Sequence, residues 1–125
     1  MIPYNTSIQT DQGVVLIHKL TTNHSIDLQP VISIVQGKTR DPYLVRLESH
    51  SLGYNYPSQS TILSMNHKIY YNRRMIPVKQ LVNNTSIIRI HYHGDIMYHV
   101  LLDYHSIMNV NHLIIETMDP HDFNK

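Results

Sequence analysis

Short β-branched runs, each closed by a turn signal, constrain this chain more than any other feature. Val14-Val15-Leu16-Ile17 follows Asp11-Gln12-Gly13. Val31-Ile32-Ser33-Ile34-Val35 ends at Gly37-Lys38, and Tyr43-Leu44-Val45-Arg46-Leu47-Glu48 opens after Pro42. Thr61 to Ser64 and Lys68 to Tyr71 are strand-like, with His67 between them and a tight turn at Asn72-Arg73-Arg74. Ile87 to Tyr92 and Ile96 to Leu101 flank His93-Gly94-Asp95, which reads as a hairpin signal. Ser106 to Met108 and Leu113 to Ile115 are the last strands, around the turn Asn109-Val110-Asn111-His112. No helical period is sustained, and only Val78 to Val82 reads as a helical turn, because Pro77 suits a first-turn position. Many short strands at this spacing predict an all-β fold. The 125 residues suit one domain, 1–125, with the last few residues as a tail. No repeat is evident in the sequence.

Composition excludes several functions. The net charge is +1 with histidine neutral, and the one tight basic pair is Arg73-Arg74, so no nucleic-acid footprint is expected. There is no cysteine, which removes disulfides, zinc-thiolate sites and a thiol nucleophile. No apolar window reaches the roughly 18 to 20 residues a membrane helix needs, and no secretory leader is visible. A soluble product without a membrane partner is expected, with its location open. No Gly-x-Ser-x-Gly elbow supports a hydrolase triad. Among ten histidines, His91 and His93 share one strand face by alternation, with His99 expected on the partner strand. They are weak candidates for a metal, and a solvated hairpin is the simpler reading.

Three ordered blocks carry a resemblance. Thr6, Ile8, Thr10, Gly13, Ile17 and Leu20 form the first, behind Met1. Ser64-Met65-Asn66-His67 is the second, followed by Met75-Ile76-Pro77-Val78-Lys79-Gln80-Leu81-Val82-Asn83. Tyr98 to Thr117 is the third. In this order they resemble the Hint domain, the β-fold shared by inteins and hedgehog autoprocessing modules. The resemblance implies a flattened horseshoe of bent antiparallel strands with both chain ends near one site. It implies an acyl shift in which a Cys or Ser at position 1 attacks the preceding carbonyl.

In that scheme His67 acts on the nitrogen of the scissile peptide, chemistry suited to imidazole near neutral pH. Ser64 helps hold the carbonyl or the histidine, and His105 serves in the last block. Met1, His67 and His105 are therefore expected to converge. His99 stands where many members carry Asp, Asn111 matches the Asn-Gly turn, and Glu116-Thr117 fall where splicing inteins carry His-Asn. That ending resembles the non-splicing, bacterial-type branch. No cofactor is required, and the substrate is the domain's own N-terminal flanking polypeptide. Met1 carries a thioether with no ionisable proton, and no peptide precedes it in this chain, so the chain as written is expected to be inactive. The alternatives are a degenerate Hint-like β-module with a structural or binding role, and a protein-splicing intein.

Overall fold

A computed structural model describes residues 1–123. The expected tail falls in part on residues 124 and 125, which lie outside the described residues. The strands in chain order are β1 Ile2–Pro3, β2 Ser7–Thr10, β3 Gly13–Leu16, β4 Ser25–Ile26, β5 Gln29–Pro30, β6 Ser33–Gly37 and β7 Tyr43–Leu47. They continue as β8 Thr61–Ser64, β9 Lys68–Tyr71, β10 Arg74–Pro77, β11 Ile87–His91, β12 Met97–Leu101, β13 Ile107–Val110 and β14 Leu113–Glu116. Single 3₁₀ turns follow β3 and β10, at Ile17–Lys19 and Val78–Leu81, and a short helix, α1, spans Pro120–Phe123. The all-β expectation is met, and every ladder is antiparallel.

Three larger sheets share one core. Their orders are β1-β12-β6, β10-β9-β14-β13 and β11-β7-β8. Alternation sends Ile8, Val45, Leu47, Leu63, Ile69, Val100, Leu113 and Ile115 into a continuous buried cluster. Burial of such side chains is worth about 1.5 to 3 kcal/mol each, the main force closing the three sheets on one another.

Two units of this fold have the same build. The hairpin β2–β3 runs into the turn at Ile17, and the hairpin β9–β10 runs into the turn at Val78. One constant spacing relates them: Ser7↔Leu16 corresponds to Lys68↔Pro77, and Ile8↔Val15 to Ile69↔Ile76. The Ile17 N–H donates to the Thr6 carbonyl at 2.7 Å, and the Val78 N–H donates to the His67 carbonyl at 2.9 Å. The sequence hides this repeat because only Ile8/Ile69 and Leu20/Leu81 are identical between the units. What persists is the apolar inward face.

One sequence expectation is overturned. β11 and β12 do not form a hairpin: β11 pairs with β7, and β12 lies between β1 and β6. The Tyr92 N–H ties the start of the intervening segment to the Pro42 carbonyl, and the Tyr92 hydroxyl bonds the Asp95 carbonyl within the segment. The apolar strand β12, with Met97, Val100 and Leu101 buried, gains two partners in place of one. β6 is also displaced from the expected run, because Gln29–Pro30 pairs with Ser25–Ile26 before it. No helix among the described residues is long and apolar enough to cross a membrane.

Candidate functional site

Residue 1 is built into the fold. β1 pairs with β12 through Ile2↔Tyr98 and Pro3↔Met97, and Ile2 is fully buried. On its other side the Ser64 N–H at the end of β8 donates to the Met1 carbonyl at 3.1 Å. The backbone nitrogen of residue 1 then lies 2.8 Å from Ser64 Oγ and 2.9 Å from His67 Nδ1. Its side chain runs along β6, where a Cβ added at Gly37 would stand 3.2 Å from Met1 Cε.

His67 owes its position to a strapped turn. Its N–H donates to the Ser64 carbonyl at 3.0 Å, closing the turn between β8 and β9. The 3₁₀ turn after β10 holds this turn from outside: Val78 N–H binds the His67 carbonyl, and Lys79 N–H binds the Met65 carbonyl at 3.0 Å. The segment Met75 to Asn83 thus supplies the strap, and Asn84 just beyond it, at φ 62, takes the left-handed conformation that favours glycine. β14 meets β9 at Ile115↔Ile69, which brings the Glu116 carbonyl to 2.9 Å from His67 Nε2.

These contacts fix the tautomer. A carbonyl can only accept, so Nε2 carries the proton. Nδ1 is then a lone pair aimed at the nitrogen of residue 1. His67 is 4% exposed, and burial is the largest cause holding its pKa well below the ordinary value, followed by the charge of the N-terminal amine. Burial likewise lowers the Met1 amine from 8.0 to about 5, against the attraction of Glu116. His99 is lowered to about 4 by burial and then by the same amine, with Asp122 opposing. Its ring lies 6.3 Å from that of His67.

A cleft of about 230 Å³ opens on this centre. Ser64, His67, His99, Glu116 and Thr117 line it with Met1. Thr39, Asn66, Asp119 and Asp122 also line it and were missed in the sequence. They come from the exit of β6, the turn before His67 and the start of α1, and no linear spacing links those segments.

The remaining sequence candidates fall at graded distances. His105 Nε2 bonds Glu116 Oε2 at 3.0 Å, and Glu116 Oε1 accepts from the Lys68 N–H at 3.2 Å. His105 therefore meets the centre at one remove, through Glu116. Thr117 exchanges side-chain bonds with the Ser106 backbone at 2.9 and 3.2 Å, pinning the end of β14. Asn111 lies away from the cleft: it bonds Thr61 Oγ1 and Gln59 Nε2, and with His112 it takes the positive φ values a two-residue hairpin needs. His91 packs at 5.1 Å against Tyr43, on a different sheet from His99. The described residues contain no group of three or more His, Cys, Asp or Glu arranged to hold a metal ion.

In this all-β domain the nitrogen of residue 1 lies against a strapped histidine. The chain belongs to the Hint domain family, whose model matches residues 3–122. No curated protein sequence matches it.

Proposed function

We propose that this domain is a self-processing module that cleaves the peptide bond before residue 1 when that residue is Cys or Ser. The observation that carries this reading is the 2.9 Å contact between His67 Nδ1 and the backbone nitrogen of residue 1. In the reaction, the thiolate or alkoxide of residue 1 attacks the preceding carbonyl carbon. The C–N bond breaks, and the nitrogen takes a proton from His67, which has accepted the nucleophile's proton. A thioester or ester results, and water or an external thiol cleaves it. An imidazole that burial holds neutral becomes a strong acid once protonated, which suits the second half of this transfer. The attacking and attacked groups belong to one chain, so proximity replaces substrate binding.

In this reading the substrate is the domain's own N-terminal flanking polypeptide, residues 1–125 form one domain, and no cofactor takes part. The Met1 side chain is a thioether and offers no nucleophile for this acyl shift, so the chain as written does not perform the step. Glu116-Thr117 in place of His-Asn favour the non-splicing, bacterial-type branch over a splicing intein, because no closing Asn is available to cyclise there. A degenerate module retained for a structural or binding role is the second reading, favoured by Met1 itself.

The test is a fusion of a stable carrier protein to the domain with Met1→Cys. Appearance of carrier and domain as separate fragments, accelerated by added thiol and abolished by His67→Ala, is the expected result. A fusion that stays intact for days with thiol present would contradict it.

A further inference from the structure

The cleft at residue 1 has a second chemical capacity that cleavage does not use. A neutral amine has two N–H donors and one lone pair. The polar partners of the Met1 amine are Ser64 Oγ at 2.8 Å and His67 Nδ1 at 2.9 Å. The cleft of about 230 Å³ that Met1 lines opens beside this amine. Behind it, His67 is a base whose opposite nitrogen is anchored on the Glu116 carbonyl at 2.9 Å. Amine, base and anchor are arranged as a nucleophile, general base and orienting group are in acyl-transfer sites.

We propose that, in any form of the domain whose chain starts at residue 1, the α-amine of Met1 is an acyl acceptor that takes acyl groups from small thioesters. The amine nitrogen attacks the thioester carbonyl carbon and an N–C bond forms. The C–S bond breaks, and the proton lost from nitrogen passes to His67 Nδ1 and then to the departing thiolate. The products are an amide at Met1 and a free thiol, with no oxidant or reductant involved. Burial supports the step, since an amine brought to about 5 is unprotonated near neutrality, where lysine amines are charged. The titratable groups facing it are His67 from the β8–β9 turn, His99 from β12 and Glu116 from β14, with Asp119 and Asp122 lining the same cleft. The capacity does not rest on the cleavage reading: it needs Met1 and a free amine, whereas cleavage needs Cys or Ser and a flanking peptide.

The experiment treats the folded domain at pH 6.5 with the acetyl thioester of N-acetylcysteamine and maps acetylation by mass spectrometry. The references are a synthetic peptide of residues 1–8 and the same protein unfolded in urea. An unburied α-amine is only a few per cent unprotonated at this pH. The folded domain is therefore expected to acetylate at Met1 about tenfold faster than either reference, and ahead of its lysines. His67→Gln, checked for fold by circular dichroism, is expected to lose that advantage. A folded-state rate at Met1 equal to or below the peptide's overturns the proposal, and this comparison needs no variant to fold.

Discussion

The two matching units, Thr6 to Leu20 and His67 to Leu81, share a backbone and differ in what stands at their first position. In the first, the Thr6 hydroxyl donates to the Pro3 carbonyl at 2.8 Å, and the Thr6 carbonyl receives Ile17 N–H. In the second, the equivalent carbonyl of His67 receives Val78 N–H, but the side chain turns to the nitrogen of residue 1. The strapped turn therefore occurs twice in this fold, and the two copies place different side chains, Thr6 and His67, at their first position. Thr6 spends its polar group locally. His67 spends one nitrogen on the Glu116 carbonyl and leaves the other for the chain's own start.

The widest separation between the units is expected in processing. In the Met1→Cys fusion, His67→Ala is expected to slow cleavage by about 10²- to 10⁴-fold, the range for losing a positioned proton-transfer group. Thr6→Ala is expected to leave the rate within a few fold. Equal losses would mean that the two turns serve only the fold. The measurement is fragment yield against time on gels.

Acid should also act on one side of the pair. The Met1 amine, His67 and His99 all have folded pKa values below their ordinary ones. For a base so depressed, the unfolded chain binds the extra protons, so stability is complete above the unfolded pKa and falls as pH drops toward the folded one. Urea melts of the chain starting at Met1 are expected to show stability falling from pH 8 to pH 5. The loss from the amine alone is on the order of 4 kcal/mol. His99→Asn is expected to flatten the lower part of the slope, and Thr6→Ala to leave it unchanged. Stability that is flat or rising toward pH 5 would remove the buried neutral cluster from the account.

Packing should treat the units alike. Ile8 and Ile69 occupy equivalent positions and are both fully buried. Ile8→Ala and Ile69→Ala should each cost about 3 kcal/mol in the same melts, within the range for such truncations. A large gap between them would break the equivalence. The smallest effect belongs to Thr6→Val, which removes one hydrogen bond and keeps the shape, for about 1 kcal/mol.

Local patterning makes much of the fold legible in the sequence. β8, β9 and the turn at Val78 follow directly from their apolar spacing and from Pro77, and Ser64-Met65-Asn66-His67 marks the junction that holds the histidine. What escapes is non-local. His93-Gly94-Asp95 looks like a hairpin, yet the two strands beside it pair with β7 and with β1 and β6, a choice made by burial across the whole chain. The internal repeat escapes because the units preserve only which face is apolar. His105 can be named from its block, but its route to the centre through the Glu116 carboxylate depends on where β14 ends against Lys68. Thr39 and Asp122 line the same cleft although they are far apart in the chain.

The central claim is that His67 presents an unprotonated Nδ1 to residue 1 while Nε2–H is held by Glu116. Imidazole ¹⁵N chemical shifts of the folded domain, followed from pH 8 to pH 5, test it most directly. The expected result is a neutral ring with the proton on Nε2 throughout that range. A ring protonated on Nδ1, or one that titrates near the ordinary histidine value of about 6.5, would contradict it.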